Sequence, residues 1–342
     1  MNVRRLIPTA AVAGAVALGL TTLSACSSSD AAEGGSDGKL NVVASFYPMQ
    51  FLAEEIGGSH VSVTTLTKPG TEPHDLELSP RQTGGLSDAD YILFLKGVQP
   101  AVDDAVEQAG VKNTVDAAKL TTLENHGSEV GHDHGHEEEG EEHGHEGERG
   151  HEGERGHEGE HGHEGEEEAG LDPHIWLDPV KYAEVAEGVG KSLEKADPDH
   201  AADYRKNTDA LVTELNTLNT AYETGLKNTS TKTFITTHSA FGYLAERYGL
   251  TQEGIAGIDP EAEPSPARID EIHTVAEESK ATTVFFETLA SDKTAKTLAK
   301  DLGLKTGVLD PLEGITDKSA GADYIEVMKS NLTALQKALG AK

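Results

Sequence analysis

The chain has 342 residues, enough for two domains of ordinary size, and a formal net charge of −32. Nearly half of that charge lies in residues 127–168, where seventeen Asp and Glu side chains face only Arg149 and Arg155. Such a surface argues against nucleic acid or anionic lipid as a partner and in favour of cations.

The chain opens with Arg4 and Arg5, an apolar small-residue run from Leu6 to Leu20, and then "TTLSAC". A charged start, a short apolar stretch and a small-residue cleavage site read as an export signal, too short and too rich in Ala and Gly for a membrane span. Cys26 is the single cysteine, so no intramolecular disulfide is possible and the thiol needs another role. "LSAC" at 23–26 is similar to the lipobox of bacterial lipoproteins. That likeness implies a signal peptide over 1–25, lipid attachment at Cys26 and a flexible Ser/Gly/Asp tether over 26–38. The protein is then expected outside the cell, anchored to the outer face of the bacterial cytoplasmic membrane.

Beyond the tether, "LNVVASFYP" (40–48) and "VSVTTLT" (61–67) are predicted strands, with the helix "MQFLAEEIG" between them. "DYILFLKG" (90–97) is almost continuously apolar, as a strand buried on both faces must be. Residues 121–170 carry no apolar periodicity and are expected to be disordered. Asp197 to Leu226 then run without Gly or Pro between Pro198 and Gly225, with Tyr204, Leu211, Leu215, Leu218 and Tyr222 at helical spacing. Strands "TFITTH", "TVFFET" and "KTGVLDP" follow, alternating with helices near 240–248, 267–280 and 291–302, and a last helix covers about 322–339. Alternation on both sides of one long helix predicts two α/β lobes joined by a rod. The expected division is an N-terminal lobe at 39–196, a linking helix at 197–228 and a C-terminal lobe at 229–342.

Ten of the sixteen histidines lie in 126–163, and three of the other six sit in turns or at strand ends. His74 lies in "KPGTEPHDLELSP". His174 lies in "LDPHIWLDP", beside the single tryptophan, Trp176. His238 directly follows the strand "TFITT", where open α/β sheets place their ligands. Glu287, Asp310 and Glu313 each follow an apolar strand and are candidate carboxylates. Three imidazoles and one carboxylate would complete a tetrahedral shell suited to Zn²⁺, whereas oxygen-rich shells suit manganese.

Taken together, the lipobox, "EPHDLELSP", "DPHIWLDP", "THSAFGYLAERYGL", "EAEPSPA" and "VLDPLEG" resemble the zinc branch of the zinc/manganese-binding lipoproteins that serve bacterial ABC importers. The resemblance spans essentially all of 39–342. It implies two Rossmann-like α/β lobes bridged by one long helix, with the metal in the inter-lobe cleft. It also implies His74, His174, His238 and Glu313 as ligands, Asp310 being the alternative fourth ligand. The manganese branch usually has a carboxylate where this chain has His238. The partners implied are a membrane-embedded permease with its cytoplasmic ATPase, and the protein is expected to be a monomer and not an enzyme. Zn²⁺ is then the transported ligand.

The zinc branch often carries a His- and acid-rich insertion between its first two histidine motifs, and here that insertion includes His132, His134, His136, His143, His145, His151, His157, His161 and His163. A Gly-rich His/Glu repeat has no apolar face to fold around, and ordering it costs roughly 1–2 kcal/mol per residue. It is therefore suited to accessory, weak collection of zinc. A manganese or iron receptor of the same family is the alternative within the class, and a zinc-storage protein or adhesin the alternative outside it. A zinc hydrolase fits poorly, since four protein ligands close the shell and the sequence shows no HExxH helix and no GxSxG elbow. Because unperturbed imidazoles titrate near about pH 6.5, zinc affinity of the tract is expected to fall between about pH 7.5 and about pH 5.5. A titration that finds the same affinity at both values would remove the histidines from that role.

Overall fold

The structure is a computed structural model and describes residues 38–126 and 171–342. Cys26, the expected signal peptide, the tether before Gly38 and the nine tract histidines named above lie outside the described residues.

The first sheet contains β1 (Leu40–Ala44), β2 (Val61–Thr65), β3 (Tyr91–Phe94) and β4 (Thr114–Asp116). The helices α1 (Tyr47–Gly57), α2 (Pro80–Ser87) and α3 (Pro100–Ala109) connect them. All pairings are parallel, in the order β2-β1-β3-β4. Next come α4 (Pro179–Ala196) and α5 (Ala201–Leu226). A second parallel sheet has the order β6-β5-β7-β8, built from β5 (Thr233–Thr236), β6 (Thr251–Gly254), β7 (Thr283–Phe286) and β8 (Lys305–Val308). Its helices are α6 (Gly242–Arg247), α7 (Pro266–Ser279), α8 (Lys293–Leu302) and the closing α9 (Tyr324–Leu339). The chain thus forms two α/β lobes with the same strand order.

The two-residue period of the strands explains why both faces of each sheet are covered. Val42, Ala44, Tyr91 and Leu93 point into a central core, while Val43, Ile92 and Phe94 point into an outer layer with Leu86 of α2 and Val102 of α3. In the second lobe Phe234 and Phe285 face the same central core, and Ile235 and Val284 face α7 and α8. The helix starts are written in the sequence. α1, α2, α3, α4 and α7 all carry Pro in the first turn, where no N–H is needed, and Ser79, Asp178 and Ser265 cap theirs with a side-chain oxygen.

The long helix expected to join the lobes is also a packed spine. Its buried face (Tyr204, Thr208, Leu211, Leu215, Leu218, Tyr222 and Leu226) lies within the central core together with residues of α1, α4 and α9, so one core runs through both lobes. The sequence reading also passes over α2, α3, β4 and β6, and the reason is local. α2 contains Gly84 and Gly85, and the edge strands β4 and β6 have no fully buried apolar residue. The expected disorder over 121–170 is corrected at its first end. Residues 121–126 are described, and Glu124 pairs with Asp172 through backbone hydrogen bonding. Lys181 Nζ donates to Thr122 O at 2.7 Å, so polar anchoring does there what apolar periodicity does elsewhere. Among the described residues no helix is long and apolar enough to cross a membrane.

At the α4–α5 crossing, a Cβ on Gly190 would lie 2.2 Å from Thr208 Oγ1. Gly190→Ala is therefore expected to destabilise the fold by about 1–3 kcal/mol through overpacking. Adding Thr208→Ala should recover most of that loss in urea unfolding, and a double variant no more stable than the single one would refute the contact as the cause.

Candidate metal centre

Four loops deliver the candidate ligands. His74 lies in the turn-rich segment between β2 and α2, and His174 immediately precedes a short 3-10 turn at Ile175–Leu177. His238 is two residues beyond β5, and Glu313 lies in the loop after β8. Both sheets therefore present the carboxyl ends of their strands to one cleft, as open parallel sheets do.

The structure brings His74, His174, His238 and Glu313 together, with one ligand atom from each within 4.8 Å of all the others. The Nε2 atoms of His74, His174 and His238 lie 3.4, 3.4 and 3.3 Å from Glu313 Oε1. Bonds of about 2.0–2.1 Å around a tetrahedral ion would place ligand atoms roughly 3.3 Å apart, which matches the three imidazole–carboxylate distances. His174 and His238 are fully buried and His74 nearly so. Three atoms in the cluster, His174 Nε2, His238 Nε2 and Glu313 Oε2, are buried with no hydrogen-bond partner. Orphaned buried groups are costly, and a shared cation would satisfy all of them at once.

Carboxylates hold two of the imidazoles from behind. Asp172 Oδ1 is 2.7 Å from His174 Nδ1, and Glu287 Oε1 is 2.6 Å from His238 Nδ1. A carboxylate on Nδ1 fixes the tautomer and leaves Nε2 as the donor to a metal. Thr237 Oγ1 also donates to Glu287 Oε1. Glu287, an equal candidate in the sequence, is thus placed behind a histidine. Asp172 was visible only as half of an Asp-Pro pair flanking His174.

Asp310, the alternative fourth ligand, is not brought into the group. Its Oδ1 accepts from Leu312 N at 2.9 Å and its Oδ2 from Thr288 Oγ1 at 3.2 Å, so both oxygens serve the loop. Leu312 has φ +59°, a left-handed conformation costly for a residue with a Cβ, and the Asp310 bond braces it. Asn331 clamps Asp310 on both sides, accepting from its N–H and donating to its carbonyl. Trp176 Nε1 donates to Pro311 O at 2.7 Å, so the first lobe grips the loop that carries Glu313 in the second. Nothing in the sequence pattern pointed to Asn331.

Burial acts against charge throughout the cluster and is outweighed. It pushes His238 down, but the charges of Glu287 and Glu313 hold the imidazole well above its ordinary range. Burial likewise lowers His174, and Asp172 and Glu313 raise it further. Glu313 is pushed up by burial yet held well below the usual carboxylate range by His238, His174 and His74. Glu72, whose carboxylate accepts from His74 N, is raised to about 8 by burial and by Glu313. The centre is built to hold positive charge against an anionic floor.

Residues 42–338 match the zinc-uptake complex component A periplasmic family, ZnuA. The chain belongs to the ZnuA family. The zinc-binding lipoprotein AdcA of Streptococcus pneumoniae is 37% identical over 309 residues, which is 88% of this chain and 56% of the relative. This chain therefore spans just over half the length of those streptococcal relatives. The high-affinity zinc uptake system protein ZnuA of Bacillus subtilis is 36% identical over 329 residues, 94% of each chain. Among solved structures, the Zn(II)-bound ZnuA-like domain of S. pneumoniae AdcA is similar, with a TM-score of 0.67 at 32% identity, covering 88% of this chain and 99% of that one. A laminin-binding adhesin from Streptococcus agalactiae gives a TM-score of 0.71 at 30% identity with the same coverage. ZnuA proteins are solute-binding components.

A histidine raised in the folded state stabilises it below the unfolded value of about 6.5 and loses that contribution as pH rises through the folded value. Metal-free protein is therefore expected to lose melting temperature as pH rises above the ordinary imidazole range, and His238→Gln should flatten that slope. Equal slopes in thermal unfolding would show that His238 carries no such charge.

Proposed function

We propose that this chain is an extracytoplasmic receptor that binds Zn²⁺ through His74, His174, His238 and Glu313 and delivers it to a membrane ABC permease coupled to a cytoplasmic ATPase. The observation that carries the reading is the convergence of three imidazole Nε2 atoms on one carboxylate oxygen at 3.3–3.4 Å, in a buried setting with orphaned polar atoms. Three nitrogen donors to one oxygen favour zinc over manganese. Closure of the shell by four protein groups suits a carried ion and leaves no open position for an activated water. The relatives named zinc-binding lipoprotein and zinc uptake system protein support the same reading. Lipid attachment at Cys26 would keep the receptor at the outer membrane face, and the histidines of 127–168 would gather zinc weakly near it.

A competition titration against a chromophoric chelator, using soluble protein lacking 127–168, tests this. One tight Zn²⁺ site with much weaker Mn²⁺ binding is expected. His74→Ala or His238→Ala should weaken zinc by more than about 100-fold, and Asp172→Asn or Glu287→Gln by about 10- to 100-fold, since these carboxylates act through the histidines. Absence of a tight site would move function to the tract and leave storage or adhesion as the reading.

A further inference from the structure

A second group of metal-ligating side chains lies outside the buried centre. Glu124, His126 and Glu246 each offer one ligand atom, all within 4.8 Å of one another. His126 Nε2 is 2.6 Å from Glu246 Oε2 and 3.9 Å from Glu124 Oε2. His126 is the last described residue before the histidine-rich stretch and the first histidine of that tract. We propose that Glu124, His126 and Glu246 form a second site for a zinc-class divalent cation, weaker than the buried centre, where the histidine-rich segment joins the folded body.

Local construction favours a built position over a chance approach of surface acids. His126 sits against Gly242 at the start of α6, where a Cβ would lie 2.2 Å from the histidine Cβ, so only glycine leaves the room. Its ring stands edge-on to Tyr243, with centroids 4.3 Å apart. Tyr243 OH in turn accepts from Glu124 N at 2.8 Å and donates to Asp172 O at 2.7 Å. Fully buried Asp172 supplies an independent pointer. Its Oδ2 has no hydrogen-bond partner and faces His126 Nδ1 at 3.2 Å, while its Oδ1 holds His174. One carboxylate thus backs an imidazole in each group, directing Nε2 of His126 toward Glu124 and Glu246 as it directs Nε2 of His174 toward Glu313.

Charge and exposure set the site's strength. Lys181 Nζ donates to Glu124 Oε1 at 2.6 Å and lies 5.1 Å from the Tyr243 ring centroid, neutralising one of the two acids and leaving Oε2 for a cation. Glu246 is largely exposed and must be ordered to bind. Three ligands leave a fourth position open to water or to a further histidine, which makes the ion exchangeable.

Zinc-edge anomalous diffraction from crystals of the full chain grown with excess zinc tests the site. Peaks are expected at the buried centre and between Glu124, His126 and Glu246. His126→Ala and Glu246→Gln should each remove the second peak and keep the first, and Glu246→Gln, at an exposed position, guards against misfolding of the other variant. A filled buried centre with no density at His126 overturns the second site while leaving the receptor reading intact. Density at His126 with an empty buried centre supports the second site and overturns the receptor reading. A second peak that survives both substitutions overturns the assignment of its ligands.

Discussion

A buried carboxylate ringed by three imidazoles is the constraint on which the rest of the molecule depends. Glu313, His174 and His238 carry buried polar atoms with incomplete hydrogen bonding, an arrangement that relaxes apart unless the surrounding structure forbids it. Restraint comes from behind these three groups. Asp172 and Glu287 hold the Nδ1 atoms, and the Asp310–Asn331 clamp fixes the loop from which Glu313 projects. Removing any of these supports would free a charged side chain, so the site and its scaffold are one electrostatic unit.

That unit spans both lobes, which explains why the lobes share a core. α5 runs through the common core with α1, α4 and α9 around it, and Trp176 reaches across to Pro311 while Tyr324 OH donates to Trp176 O. Arg247 on α6 grips Asp178 at the start of α4 with two hydrogen bonds from Nε and Nη2. A hinge between the lobes would open this packing and strip a partly buried ion pair, whereas movement of a ligand loop would not. Of the four ligand candidates, His74 alone retains some exposure and lies on a long segment without regular structure.

Preorganisation separates the two groups of candidate ligands. A ligand held by a rigid loop has already lost its freedom during folding, so a few fixed ligands make a specific site. The group around His126 is less fixed, with one imidazole seated on Gly242 and one acid on an exposed helix face.

Much of this was legible in the sequence. The apolar run of β3, the helical spacing from Tyr204 to Tyr222 and the prolines at helix starts are local signals that bury the same surfaces in any context. His74, His174 and His238 stood out because turn residues and strand ends surround them. Other features were not legible, because they depend on residues far apart in the chain. The resemblance put Glu313 ahead of Asp310, but what keeps Asp310 within its loop depends on Leu312 turning with positive φ and on Asn331, twenty-one residues away, occupying its backbone. The ordering of 121–126 depends on Asp172, Lys181 and Tyr243, none of which is a neighbour in sequence. Sequence by itself determined the two α/β lobes, the long helix and the supply of imidazole ligands, since periodicity and turn chemistry are local. Tertiary structure alone decided which carboxylates stand behind the histidines, because a side chain's direction is set by the packing and hydrogen bonds of its distant neighbours.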